Sequence, residues 1–388
     1  MKSSYDIILY FAWVHPSHIH KYLSLKKELN KQFNCLLIFG NDGSWCCPNY
    51  GVSSDQLKPF NRFLDDVLIA GRDLVGQILH EHKPKILVFG SDQHAHDWQR
   101  QISSQLSATT IQLTHLLSSE MFTNANPDYF AVFGPTHEAY LQNCPPEHVQ
   151  NYASVVKPSQ KININPWLYG LHEDCLPTEL SREDFCEKYR LNPNKEILLH
   201  LPDWGSIHSA LSSPGCIVDG MPGEEILSAY KATCELENAV TQLHPNEYKR
   251  HKSSRIGNKW SYELICPLAS ILDPIDSHWA YKYCACGISH ISTVALEFGF
   301  FNKPFVYTGN PLAWATKHSW VWGGTNHYSW VGHECPQDKM KEFFANKNYT
   351  IEDQGLYKKH QEKFSIDPNV NFIEFLAEKI LSVDIIKK

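Results

Sequence analysis

The 388-residue chain carries 35 Lys and Arg against 42 Asp and Glu, a formal net charge of −7, and is 43% hydrophobic and 20% charged. That balance excludes a nucleic-acid binder held by bulk positive charge, and the length is enough for two domains that each bury a full core. No apolar run approaches the ~20 residues of a membrane span.

The N-terminal Met1-Lys2-Ser3-Ser4-Tyr5-Asp6 lacks the basic start and small-residue cleavage site of a signal peptide. The twelve cysteines are scattered, with Cys46-Cys47 and Cys284-Ala-Cys286 too close for ordinary bridges and no Cys-x-x-Cys pair. Free thiols in a reducing compartment follow, and the expectation is a cytoplasmic protein. The 21 histidines give the chain many neutral donors for phosphates or protons.

In chain order, Ile7-Ile-Leu-Tyr-Phe11 reads as a first buried parallel strand. It feeds the loop Trp13-Val-His-Pro-Ser-His18 and a helix over Ile19 to Lys31, and Cys35-Leu-Leu-Ile-Phe39 is a second strand ended by Gly40-Asn-Asp-Gly43. A helix is expected from about Asn61 to His82, followed by the strand Ile86–Phe89 and Gly90-Ser-Asp-Gln-His-Ala-His96. After a further helix come Thr109–Leu113, leading into Thr114-His115, and Tyr129–Phe133 with Gly134-Pro135. Strand and helix alternate throughout this half, which predicts a doubly wound sheet. Loops after the carboxyl ends of parallel strands hold ligands in such sheets, which places His15, His18 and His115 suggestively.

From Val155 to about Leu176 the pattern becomes irregular and reads as a linker. Alternation then resumes with Ile197-Leu-Leu-His-Leu201, the loop Pro202-Asp-Trp-Gly-Ser206, a helix over about Gly223 to Cys234, Ala239–Leu243 and His244-Pro245-Asn246. An edge-like strand Leu264-Ile-Cys and a helix over Pro274 to Lys282 follow. The chain then reaches the stretch around which this half is organised, Ser289-His-Ile-Ser-Thr-Val-Ala-Leu-Glu-Phe-Gly299, with Lys303-Pro304, read as a loop charge and a helix stop, before Phe305-Val-Tyr307. Ser292 or Thr293 can cap a helix there, and a helix N-terminus with two hydroxyls seats a phosphate. Lys358 to Leu381 reads as one or two terminal helices. The expected architecture is α/β of the GT-B class: two Rossmann-like domains facing across a cleft, over 1–165 and 180–355, with a C-terminal helix from 356–388 crossing back to the first domain.

Three segments of the second half stand just past predicted strands: Leu201-Pro-Asp-Trp204, Gln242-Leu-His-Pro-Asn246, and Ser289 to Thr293 with Glu297-Phe298 and Asn302-Lys-Pro-Phe305. All three should gather on the carboxyl edge of one sheet. Their order and spacing resemble the C-terminal half of the CDP-glycerol glycerophosphotransferases, the polymerases and primases of teichoic acid-like polymers. The resemblance covers roughly Ile197 to Tyr307. In the first half the family's His-Gly motif falls at Gln112-Leu-Thr-His115, where Leu116 replaces the glycine. Asp203, His290 and Thr293 are further departures from the family pattern.

The resemblance implies transfer of a glycerol-phosphate-like unit from a CDP-linked donor to a polymer hydroxyl at the membrane face. His115 would act as general base, with His15 or His18 as the alternative. His244, with Ser292 and Thr293, would neutralise the departing CMP phosphate in place of a metal. Pro202, Trp204, Ser289 and Glu297 would complete the donor site. No cofactor is called for, and the acceptor would be a cell-envelope polysaccharide or lipid-linked polymer, bringing peripheral membrane contact. Competing readings are a glycosyltransferase of the same fold using a CMP-linked sialic acid or Kdo, a UDP-sugar 2-epimerase, and a non-catalytic nucleotide-binding member of a polymer assembly. The aromatic and imidazole segment Trp314, His318, Trp320, Trp322, His327 and Trp330 is read either as sugar-stacking or as packing.

Overall fold

The computed structural model describes residues 4–12, 14, 16–41, 52–90, 96–113, 127–132, 161–164, 172–202, 217–218, 221–243, 255–256, 259–260, 264, 270–289, 298–308, 332–363, 367 and 369–386. The chain divides into two compact units, one made chiefly of the residues up to Pro177 with the stretch from Lys363 onward, the other chiefly of Thr178 to Glu362.

The first unit opens on β1 (Ile7–Phe11), whose five apolar residues are all buried. A 3-10 turn (Pro16–His18) leads into α1 (Ile19–Leu29), and β2 (Cys35–Gly40) follows. Next come α2 (Ser54–Leu57), capped by Ser53 through a capping box with Gln56, and the 3-10 segment Lys58–Phe63. β3 (Val67–Ala70), α3 (Arg72–His82), β4 (Ile86–Gly90), α4 (His96–Gln105), β5 (Thr109–Leu113), β6 (Tyr129–Val132) and β7 (Lys161–Asn163) complete it. The seven strands form one parallel sheet in the order β3-β2-β1-β4-β5-β6-β7. Runs buried on both faces are what a helix-covered parallel sheet demands.

Two local expectations are corrected. The single helix read over Asn61 to His82 is interrupted by β3, whose Val67 and Ile69 are β-branched and which is fenced by Asp66 at φ 53 and by Gly71 at the cap of α3. The stretch read as linker contains β7, an edge strand that pairs with β6 through Ile162 and Asn163. At the end of β2, a Cβ on Gly40 would stand 2.6 Å from the Ala12 Cα, so only glycine lets the loop after β1 pass this close.

The second unit runs α5 (Arg182–Tyr189), β8 (Ile197–His200), the short hairpin β9 (Ile217–Val218) and β10 (Met221–Pro222), α6 (Gly223–Cys234) and β11 (Ala239–Thr241). A second hairpin, β12 (Arg255–Ile256) and β13 (Lys259–Trp260), is followed by β14 (Ser270–Ile271), α7 (Ser277–Tyr283), β15 (Cys284–Ser289), β16 (Phe305–Tyr307), β17 (Gly332–Glu334), α8 (Met340–Ala345) and α9 (Gln354–Lys363). Its sheet is again parallel, in the order β14-β11-β8-β15-β16-β17. The last helix, α10 (Phe372–Ile386), packs on α1 of the first unit.

Lys303 is not a loop charge: its Nζ donates to the carbonyls of Tyr281, Lys282 and Cys284, closing the C-terminal end of α7. Among the described residues Cys35, Cys175, Cys186, Cys284, Cys286 and Cys335 are buried and in no disulfide, whereas Cys234 on α6, expected as a free thiol, is disulfide-bonded. No helix among the described residues is long and apolar enough to cross a membrane.

Candidate functional site

β8 lies between β11 and β15, with His200 opposite both Thr241 and Ile288. The three strands therefore end abreast. The register continues past the strand ends: Leu201 N–H donates to the Ile288 carbonyl at 2.8 Å and Gln242 N–H to the His200 carbonyl at 2.9 Å. Three chain segments thus leave the sheet side by side from its carboxyl edge, where ligands of open α/β sheets sit.

Of the expected site residues, the structure brings Pro202 and Ser289 together on this edge. Pro202 is buried two residues past β8, and Ser289 is the buried last residue of β15, paired across the sheet with Tyr307. His18 belongs to the first unit, half-buried at the end of the turn between β1 and α1. His15, His115, Trp204, His244, Ser292, Thr293 and Glu297 lie outside the described residues, as does the segment Trp314 to Trp330.

The edge also gathers polar groups that a reading of the sequence passed over. The His200 imidazole is 2% exposed, its Nδ1 stands 3.3 Å from Thr241 Oγ1, and its ring lies 5.3 Å from that of Tyr230 on α6. Burial pushes its pKa down from 6.5 to about 3, so at neutral pH it is an uncharged imidazole that offers hydrogen bonds but no positive charge. Gln242 is 9% exposed, and its Oε1 is buried with no hydrogen-bond partner among the described residues. A buried acceptor without a donor costs about 1–3 kcal/mol. The only sequence signal for His200 was an imidazole closing an otherwise apolar strand before a proline.

Residues 298–302, which lead into β16, pack against the sheet and α9. Phe298 stacks edge-on against Phe305 with ring centroids 5.3 Å apart, and both press on Gly287 of β15. Gln361 on α9 donates to the Phe300 carbonyl and to Asn302 Oδ1, both at 3.2 Å. Strand, returning segment and α9 therefore form one packed support immediately downstream of residues 290–297.

No known family model and no curated protein sequence matches the chain. Solved structures resemble it over almost its whole length. The wall teichoic acid polymerase TagF is 11% identical, with 98% of this chain and 90% of that one covered and a TM-score of 0.58. The S. aureus MnaA–UDP complex is 14% identical, covering 97% and 94%, with a TM-score of 0.54. The UDP-GlcNAc 2-epimerase from Neisseria meningitidis bound to UDP-GlcNAc is 10% identical, covering 98% and 100%, with a TM-score of 0.51. At such identities likeness establishes fold and nothing finer: this chain has the GT-B fold, built from two Rossmann-like units with parallel sheets.

Proposed function

We propose that the protein is a transferase that moves a glycerol-phosphate-like unit from a CDP-activated donor to a hydroxyl of a cell-envelope polysaccharide or teichoic-acid-like acceptor. The observation that carries this reading is the alignment of three strand ends: β8 runs into Pro202, β11 into Gln242, and β15 ends on Ser289. Each is the first residue or the immediate neighbour of a segment that resembles the donor-site words of the CDP-glycerol glycerophosphotransferases. The fold shared with a wall teichoic acid polymerase supports the same reading.

In this proposal His244, two residues past Gln242, and the hydroxyls of Ser292 and Thr293, three and four residues past Ser289, neutralise charge on the departing CMP phosphate. Trp204 and Glu297 complete the donor site with Pro202 and Ser289. His115, two residues past the end of β5, takes the proton of the attacking hydroxyl, with His15 or His18 as the alternative base. The protein acts from the cytoplasm on an acceptor held at the inner membrane face. A second reading, an enzyme of UDP-linked sugars, is favoured by the likeness to structures that hold UDP and UDP-GlcNAc.

One panel separates the two: thermal shift of the wild type and of His244→Ala with CMP, CDP-glycerol, UMP and UDP. A ligand at ~100 times its Kd adds about 2.7 kcal/mol to stability. A cytidine-selective shift that is lost in His244→Ala, followed by turnover of CDP-glycerol, is the expected result. A uridine-selective shift moves the assignment to the UDP-sugar enzymes. No shift with any of the four removes the nucleotide-transferase reading.

A further inference from the structure

A cavity of about 570 Å³ opens in the second unit at the carboxyl ends of β16 and β17. Glu225 and Ser228 line it from the start of α6, Thr308 from the residue after β16, Glu334 from the end of β17, and Gln337 and Asp338 from the turn that follows. Among the described residues that line it there is no Lys, Arg or His. None of the three carboxylates takes part in an ion pair among the described residues, although the neighbouring Glu235 is paired with Lys341.

The lining is rich in acceptors and poor in donors. Gln337 spends one amide N–H inside the protein, on the Glu225 carbonyl at 2.9 Å. Thr308 is 5% exposed; its backbone N–H donates to the Ser289 carbonyl at 3.0 Å, and its hydroxyl makes no hydrogen bond among the described residues. Side chains alternate along β16, so Thr308 faces the same side as Val306, which packs with Cys335, Met340 and, from α6, Ala232. That is the side on which the cavity lies. The hydroxyl of this nearly buried residue, with no partner among the described residues, therefore lines a chamber walled also by three exposed carboxylates.

Phosphates and other anions are repelled by such a wall, and a ligand that needs as many donors as acceptors finds few donors in it. A primary ammonium has three N–H donors and no acceptor, and its hydrogen bonds to carboxylates are the charge-assisted kind. Among the described residues no group of three His, Cys, Asp or Glu is arranged to hold a metal ion. We infer that this cavity binds a small molecule, or the part of a substrate, that carries a primary ammonium group. Glu225, Glu334 and Asp338 balance its charge, and the Thr308 hydroxyl accepts one of its N–H bonds. The assignment stands on the lining alone and does not depend on which nucleotide, if any, the neighbouring edge holds. The Thr308 to Ser289 hydrogen bond makes the two sites neighbours, so an amine-bearing substrate would present its cationic group here.

The test is calorimetric titration of the full chain with glucosamine, ethanolamine and putrescine, against glucose and N-acetylglucosamine as neutral counterparts, and with calcium chloride. Saturable, salt-sensitive binding of at least one amine is expected, with neither neutral sugar binding. The double variant Glu334→Gln/Asp338→Asn weakens that binding about tenfold, the factor that corresponds to 1.4 kcal/mol. Both side chains are exposed, so the variant keeps the wild-type melting temperature and any nucleotide shift, which separates failure here from failure of the donor-site reading. If the double variant melts early, Glu225→Gln, also exposed, replaces it. The inference is overturned if none of the three amines binds, if binding is unchanged in the variants, if glucose binds as well as glucosamine, or if calcium binds and the amines do not.

Discussion

Leu201 donates its backbone N–H to the carbonyl of Ile288 at 2.8 Å, and this bond ties the segment leaving β8 to the one leaving β15 at the level of Ser289. Two stretches separated by nearly ninety residues in sequence thereby start from one point in space. Pro202 and Ser289 therefore stand near one another at the carboxyl edge of the sheet.

The tightest packing behind that point is at Gly287. A Cβ there would stand 2.6 Å from Phe305 Cδ2 and 2.8 Å from Phe298 Cζ, and both rings are buried. Gly287→Ala must displace them, and overpacking of this kind costs about 1–3 kcal/mol. The expected outcome is a lower melting temperature and, on the proposed donor site, weaker nucleotide binding, because Phe298 directly follows the 290–297 stretch. A melting curve and the nucleotide titration of the same sample check both, and an unchanged melting temperature would show that the rings yield freely.

Much of the first sheet was legible in the sequence because its central strands are continuous apolar runs between helical stretches. Ile7–Phe11 and Ile86–Gly90 have no solvent face to obscure them. What escaped was set by partners distant in the chain. β3 is a four-residue edge strand, Val67–Ala70, whose short apolar run also fits the face of the helix that follows it in sequence, and its burial is only partial. Lys303 looks like an ordinary loop charge until β15 and β16 pair and set it against the end of α7. His200 and Gln242 acquire their burial from the neighbouring strands and α6, which no local pattern announces. Pro202 lies two residues past β8 and Ser289 ends β15, positions that a proline and a hydroxyl after an apolar run mark in the sequence.

Lys303 supplies the second prediction. Its ammonium group donates to three carbonyls, at 2.5 Å to Tyr281, 2.9 Å to Lys282 and 2.8 Å to Cys284. Lys303→Met keeps the aliphatic stem and removes the donors, leaving the end of α7 uncapped, at a cost of about 1–2 kcal/mol. Urea denaturation followed by tryptophan fluorescence reads the loss. A variant as stable as the wild type would mean that water replaces the ammonium at no cost.

His200 makes stability depend on pH in a defined direction. The folded protein holds the imidazole neutral down to about pH 3, whereas in the unfolded chain it titrates near its ordinary 6.5. Above about pH 6.5 both states are neutral and the residue contributes equally at every pH. As the pH falls below that, the unfolded chain takes up a proton that the folded chain refuses, and stability drops by up to about 1.4 kcal/mol per pH unit. His200→Gln removes this proton uptake. Stability measured at about pH 7 and about pH 4.5 should therefore fall less in the variant than in the wild type; parallel losses would show that His200 is protonated in the folded state.

Gln242 carries the last prediction, in which stability and binding move in opposite directions. Its amide oxygen is buried without a donor among the described residues, just past the end of β11 and two residues before His244. In the ligand-free protein that atom is a liability, since desolvating an unpaired amide costs about 1–3 kcal/mol. Gln242→Met has a similar length and no polar atom, so the free protein should gain about 1 kcal/mol. If the amide meets the nucleotide, the same change lowers nucleotide affinity about tenfold. A melting curve without ligand and a titration with CMP and UMP supply the two numbers. A variant less stable than the wild type would mean that the amide is already satisfied in the free protein. A more stable variant with unaltered affinity would make Gln242 a packing residue and leave the recognition of the donor to the side chains beyond it, His244 first.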